Sequence, residues 1–161
     1  MLLVTFVDGA GSRIGVLDAA RGELVDLAQA APGLPSDMLG LIALGEAGLA
    51  EARRALASGG ARRPLTQVRL LAPLPRPARN ILCVGKNYRD HVQEVQSIAA
   101  GGAASADALP PAPIFFTKAT TTVIGPGEPI PASGDPSQSV DYEGELAVVI
   151  GPGGRGIAAA D

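Results

Sequence analysis

The sequence predicts a folded, strand-rich α+β protein, and three features of its composition support this prediction. The 161 residues are enough for one ordinary domain or two small ones. Apolar residues make up 47% of the chain, which is sufficient for a core although aromatic residues are only 3%. The 21 glycines and 14 prolines predict many turns, and therefore short strands rather than long helices.

Residues 1–75 are predicted to form a small α+β domain that begins with a β-meander. Its strand signals are apolar, β-branched runs separated by turn residues, at 2–7, 13–17 and 23–27. Two helices are expected next, over 37–44 with Ser36 as N-cap and over 46–57 before Gly59. A short apolar run at 67–71 follows.

Alternating prolines separate this region from the rest of the chain. Pro73, Pro75 and Pro77 favour stiff, extended backbone, which is typical of a linker. We therefore expect a domain boundary at 72–78 and a second domain over 78–161. The second domain should contain strands at 80–84, 114–118, 121–124 and 140–150, a helix over 87–98 and a mobile loop over 99–113.

Charge and cysteine content exclude several classes of protein. Thirteen basic against sixteen acidic residues, with no basic run longer than a pair, do not form the positive surface that nucleic acid requires. The single cysteine, Cys83, excludes an intramolecular disulfide framework and a multi-cysteine zinc site. No apolar run approaches the ~20 residues of a membrane span, and the first residues do not resemble a signal peptide. We expect a cytoplasmic protein that binds neither nucleic acid nor membrane.

The acidic alternation near the carboxyl end is the strongest chemical signal. On a strand, Asp141, Glu143 and Glu145 project to the same face, with Glu143 and Glu145 ~6–7 Å apart. Burial of such like charges is costly unless one carboxylate is protonated or a cation binds between them. Oxygen ligands suit Mg²⁺, Mn²⁺ or Ca²⁺. The alternative is a solvated face of an edge strand.

His91, the only histidine, is the candidate general base. On a helix, Glu94 lies one turn further and can hydrogen-bond the imidazole, which would improve its basicity. The alternative is an ordinary exposed helical pair. Lys118, at the end of an apolar strand, is a candidate contact for an anionic substrate, although a lysine at a strand end also commonly extends to the surface.

Taken together, these segments resemble the fumarylacetoacetate hydrolase family. The stretches that carry the resemblance are ILCVGKNYRDH at 81–91 with Glu94 following, PIFFTK at 113–118, IGPG at 124–127 and VDYEGELA at 140–147. Their order and spacing both fit, and the resemblance covers residues 78–161. The first 75 residues are similar to the variable N-terminal domain of many members.

The resemblance implies a mixed β-roll and a divalent metal, Mg²⁺ in first place, held by three carboxylates. Glu143 and Glu145 match two of these ligands, and the third is expected beyond Asp161. This chain is therefore expected to be the front part of a catalytic domain, and in isolation a truncated and inactive fragment. His91 and Glu94 would be catalytic, and Lys118 and Tyr88 would contact the substrate.

The reaction implied first is hydrolysis of a C–C bond in a diketo acid of the acylpyruvate or fumarylacetoacetate type, with the His91–Glu94 pair activating water. The alternative is isomerisation of a 2-hydroxydienoate or decarboxylation of a β-keto acid such as oxaloacetate at the same site, because one fold hosts several reactions. The resemblance also favours a homodimer for the full-length protein.

Overall fold

The computed structural model describes residues 1–9, 11–93 and 110–158. It divides into two compact units, Met1–Glu128 and Pro129–Asp161. The linker predicted at 72–78 lies inside the first unit, and the division into domains 1–75 and 78–161 stays a prediction. Among the described residues, no helix is long and apolar enough to cross a membrane.

A five-stranded antiparallel sheet forms the amino-terminal part of the first unit. Its strands are β1 (Leu2–Asp8), β2 (Gly11–Asp18), β3 (Glu23–Asp26), β4 (Arg62–Pro64) and β5 (Arg69–Leu70), in the order β4-β3-β2-β1-β5. The predicted meander is confirmed by β1 to β3. β4 is not predictable from its sequence, because Arg-Arg-Pro carries no strand signal and the strand is fixed by pairing with β3.

Three helices cover one face of this sheet and close the core. They are α1 (Leu27–Ala30), α2 (Met38–Ala43) and α3 (Gly45–Ser58). The buried cluster between sheet and helices consists of Ile14, Val16, Val25, Leu27, Ala31, Met38, Leu41, Ala52 and Ala55. Complete burial of a side chain the size of leucine or valine contributes roughly 1.5–3 kcal/mol. These few aliphatic residues therefore hold the first sheet together without aromatic partners in the cluster.

The helix ends follow local hydrogen-bonding rules with one correction. The N-cap of α2 is Asp37 rather than the predicted Ser36, because the Asp37 carboxylate accepts the Gly40 N–H at 2.9 Å. The predicted stop of α3 is confirmed: Gly59 adopts the left-handed conformation, with φ of 72°. The short helix α1 is an addition to the predicted elements, and the Asp26 carboxylate caps it by accepting the Ala28 N–H at 3.0 Å.

A separate two-stranded ribbon contains parts of the stretches 81–91 and 113–118, which carry the family resemblance. β6 (Ile81–Gly85) and β7 (Ile114–Lys118) pair antiparallel, from Ile81 with Lys118 to Gly85 with Ile114. Both strands confirm the predictions from sequence. After β6, residues 89–93 are helical, and residues 94–98 of the predicted helix lie outside the described residues. The predicted mobile loop at 99–113 also falls largely outside them.

The strand predicted at 121–124 is wrong. Thr120–Thr122 form a 3₁₀ turn in which the Thr122 N–H and hydroxyl both donate to the Ala119 carbonyl, at 3.1 and 2.7 Å. The following turn, Gly125–Glu128, reaches the first sheet, where Arg69 pairs with Glu128 at 3.0 Å. A threonine run has strand propensity, but here the hydroxyl satisfies a backbone carbonyl locally instead.

The long strand predicted at 140–150 is also absent from the described residues. Its apolar side chains are exposed: Tyr142 by 88%, Leu146 by 83% and Ile150 by 80%. A strand requires a neighbour that accepts and donates its backbone hydrogen bonds, and no described strand pairs with this segment. Alternation and β-branching indicate propensity, but they do not supply that partner. The α+β, strand-rich class is confirmed, and the β-roll stays a prediction.

Candidate functional site

His91 lies in the helical turn 89–93 that follows β6. The next residue, Val92, is only 4% exposed, and its N–H donates to the Tyr88 carbonyl at 3.0 Å. This buried valine anchors the turn, and with it the neighbouring imidazole, which is half-buried. Tyr88 is exposed. Glu94, the predicted partner of His91, lies outside the described residues.

A cleft of about 290 Å³ opens at the end of the ribbon, next to this helical turn. Its lining residues come from the end of β6 and from the segment before β7: Val84, Gly85, Lys86, Asn87, Arg89 and residues 110–113. The size is at the lower end of the range typical for small-molecule sites. Two cationic side chains in its wall favour an anionic ligand.

Lys86, which lines this cleft, has an unusual backbone conformation. Its φ is +54°, in the left-handed region that side-chain-bearing residues adopt at a cost of roughly 1–2 kcal/mol. Such conformations concentrate at functional sites, where the surrounding structure imposes them. Lys86 and Arg89 are not among the site residues predicted from the sequence. The sequence feature that could have indicated them is a polar run, Lys-Asn-Tyr-Arg, placed directly after a strand and before a helix.

Lys118 lies at the other end of the ribbon. It pairs with Ile81, whereas the cleft begins beyond the pair of Gly85 and Ile114, about 13 Å further along the strand at 3.3 Å per residue. Its side chain is exposed. Lys118 and the cleft are thus separated along the ribbon, and a role of Lys118 in substrate binding stays a prediction.

The acidic residues Asp141, Glu143 and Glu145 belong to the second unit, Pro129–Asp161. All three are exposed, so the expectation that they are pressed together on a buried strand is wrong for this structure. The Asp141 carboxylate accepts the N–H of Tyr142 at 2.8 Å. The like-charge cost that pointed to a bound ion is small for solvated carboxylates.

Glu143 and Glu145 have the donor chemistry of metal ligands, and their role as ligands stays a prediction. Glu143 and Glu145 offer hard oxygen donors of the kind that Mg²⁺ prefers. In the described part of the chain, however, no group of three His, Cys, Asp or Glu side chains is gathered closely enough to hold a metal.

An ordered loop precedes the acidic segment. The Asp135 carboxylate accepts hydrogen bonds from the Ser137 hydroxyl at 2.6 Å, the Ser137 N–H at 2.9 Å and the Ser139 N–H at 2.9 Å. These bonds, the Ser137 hydroxyl first, hold the pKa of Asp135 below its usual value because they stabilise the ionised form. The loop is therefore expected to keep these bonds at neutral pH and lose them as the pH falls through that lowered pKa.

Comparison with known proteins gives a consistent result. The sequence model of the family described as "Fumarylacetoacetate (FAA) hydrolase C-terminal" matches residues 80–161. Oxaloacetate tautomerase YisK of Bacillus subtilis is 45% identical over 97 residues, which cover 60% of this chain and 30% of the relative. The mitochondrial oxaloacetate tautomerase Fahd2a of Rattus norvegicus is 39% identical over 148 residues, which cover 92% and 44%. Human FAHD2A, which is named for the same activity, is 38% identical over 151 residues, covering 94% and 44%. The chain spans less than half the length of these relatives.

Proposed function

Because this chain belongs to the fumarylacetoacetate hydrolase family, whose members are enzymes, we propose that the protein that contains it is an isomerase. It would interconvert the keto and enol forms of a small 2-oxo acid, with oxaloacetate the first candidate. The observation that supports this proposal most is the activity for which the relatives are named, oxaloacetate tautomerase, at 38–45% identity. The comparisons thus favour isomerisation, the alternative in the sequence analysis, over hydrolysis of a C–C bond.

His91 is the proposed proton carrier. A neutral imidazole accepts a proton from the carbon next to the carbonyl, and the electron pair of that C–H bond becomes the C=C bond of the enol. The imidazolium formed in this way then gives its proton to the carbonyl oxygen and is neutral again, so the reaction needs no water as co-substrate and no C–C bond breaks. A half-buried position on an anchored turn suits this role, because it holds the ring while leaving one side accessible.

The other predicted site residues keep supporting roles in this proposal. Glu94 would orient the imidazole, and Tyr88 and Lys118 would contact the substrate or its developing oxyanion. Of these three residues, Tyr88 directly precedes the turn 89–93 that contains His91, and this position supports its proposed contact with the substrate.

Members of this family typically use a divalent metal ion. We propose Glu143 and Glu145 as ligands, with Mg²⁺ as the first candidate, since both are hard oxygen donors two residues apart. When bound, such an ion supplies electrostatic stabilisation of enolate oxygens. The proton transfer itself is assigned to His91.

Two expectations from the sequence keep the status of proposals. A homodimer is proposed for the full-length protein. A cytoplasmic location is proposed as well, although relatives from Rattus norvegicus and Homo sapiens are named as mitochondrial.

The proposal is tested by the ultraviolet absorbance of enol oxaloacetate in the presence of the protein. Substitution His91→Gln removes the base, and a loss of about 10²–10⁴-fold in the rate is expected. Gln93→Ala, an exposed neighbour on the same turn, is the matched control and should leave the rate unchanged. Release of pyruvate or of a hydrolysed acid instead of the second tautomer would contradict the proposal.

A further inference from the structure

We propose that the cleft at the carboxyl end of β6 binds one carboxylate of a small dicarboxylic acid through Lys86 and Arg89. This inference rests on the proposed function and deepens it, because it names the residues that bind the substrate carboxylate that takes no part in the reaction. The juxtaposition that supports it is a cleft lined by two cationic side chains, Lys86 in a left-handed backbone turn and Arg89 on the same helical turn as His91.

The register of the ribbon explains why a cleft forms here. The last pair of the ladder is Gly85 with Ile114, and beyond it the two strands no longer hydrogen-bond. Gly85 itself lines the cleft, and a β-carbon there would lie in ordinary contact, 3.7 Å from the side chains of Ile114 and Phe116. The cleft thus opens where the strand pairing ends.

The opposite wall is stiff. Residues 110–113 read Pro-Pro-Ala-Pro, and each proline fixes its own φ near −65°. A wall of this composition loses little conformational entropy when a ligand binds, because it has few conformations to give up. The cleft is therefore preorganised on one side by prolines and on the other by β6.

Lys86, with its left-handed backbone conformation, shapes the other side of the cleft. With φ of +54°, Lys86 turns the chain sharply out of β6, so that Lys86, Asn87 and Arg89 all reach the same cleft. A glycine would adopt this conformation without strain. The presence of lysine at a position that favours glycine indicates that its side chain contributes something at this place.

The charges around the cleft favour an anion. Within the ranges 1–9, 11–93 and 110–158, neither Lys86 nor Arg89 takes part in an ion pair, whereas Arg13, Arg62 and Arg63 of the first sheet do. Asp90, the nearest acidic residue in sequence, is exposed and does not line the cleft. A guanidinium binds a carboxylate through two parallel hydrogen bonds, and an ammonium adds a third donor.

Malonate is the probe for this site. We would record amide chemical shifts of the ¹⁵N-labelled 161-residue chain during a malonate titration in the presence of EDTA. Saturable shifts at residues 85–89 are expected. Lys86→Gln and Arg89→Gln should each weaken malonate binding about tenfold, the loss of one charge-assisted hydrogen bond. Arg54→Gln, an exposed arginine on α3, is the control and should bind as the unaltered chain does.

Lys86→Gly separates charge from folding, since glycine keeps the turn while removing the ammonium. It should fold at least as well as the unaltered chain and bind malonate as weakly as Lys86→Gln. Malonate binding that bypasses residues 85–89, or that is unaffected by these substitutions, would overturn the inference. Tighter binding of inorganic phosphate at the same amides would overturn the carboxylate assignment. The malonate titration measures binding only, in the presence of EDTA and without turnover. If malonate binds as expected but the tautomerase assay described above detects no activity, only the proposed function is refuted.

Discussion

At the scale of single residues, Asp26 has the most consequential environment in the first sheet. Its side chain is fully buried, and it pairs with Arg13 at 3.0 Å and Arg63 at 3.5 Å while capping α1. Asp8 shares both arginines, at 3.2 and 2.9 Å. The network joins β1, β2, β3 and β4, and it balances a buried negative charge that would otherwise be costly.

Asp26→Ala should lower the free energy of unfolding by roughly 3 kcal/mol. The substitution leaves two partly buried guanidinium groups with a single carboxylate and removes the cap of α1. Urea denaturation followed by circular dichroism measures the change. The control is Glu51→Ala, which removes an exposed ion pair with Arg54 and should cost less than about 1 kcal/mol. Equal effects of the two substitutions would show that burial of Asp26 is energetically unimportant.

The residues of the candidate site differ in how far the sequence alone predicts them. The sequence distinguishes His91 because it is the only histidine and lies in a polar helical stretch, and it does lie on a helical turn. The role of Lys86 is hidden, because nothing in a one-dimensional pattern marks a lysine as left-handed. That conformation occurs directly after the last pair of the β6–β7 ladder, which joins Gly85 to Ile114, far along the chain.

At the scale of elements, local chemistry predicts those parts of the fold that are held by local interactions. The meander β1–β3 and the helix α3 follow from runs, caps and turns that lie within a few residues of one another. The prediction of a strand at 140–150 fails because its formation depends on a distant partner. For the same reason, the alternating carboxylates at 141–145 indicate oxygen ligands for a metal, but the sequence does not predict that their side chains are exposed.

Gly59→Ala tests the role of the local cap in α3. Gly59 has φ of 72° and ends the helix, so a β-carbon there should destabilise the chain by about 1 kcal/mol. Gly60→Ala is a matched control, because Gly60 does not have a positive φ and a β-carbon there would meet nothing within 4 Å. Thermal unfolding of the two variants measures the difference. A melting temperature that falls equally for both would contradict the role of the left-handed cap.

At the scale of the whole molecule, burial is distributed unevenly. Nearly all fully buried apolar side chains among the described residues belong to the first sheet and its helices. The ribbon exposes Leu82 by 72% and Phe115 by 65%, and the second unit exposes most of its apolar residues. The stable part of this chain is therefore its amino-terminal sheet, while the proposed chemistry belongs to residues outside that core.

The central claim, that His91 transfers a proton without breaking a C–C bond, is tested most directly by proton NMR of oxaloacetate in D₂O with the full-length protein. We predict that deuterium enters the C3 position faster than in buffer, that the four-carbon skeleton stays intact, and that His91→Gln abolishes the acceleration. Cleavage of the skeleton as the primary reaction, or unchanged deuterium incorporation in His91→Gln, would contradict the claim.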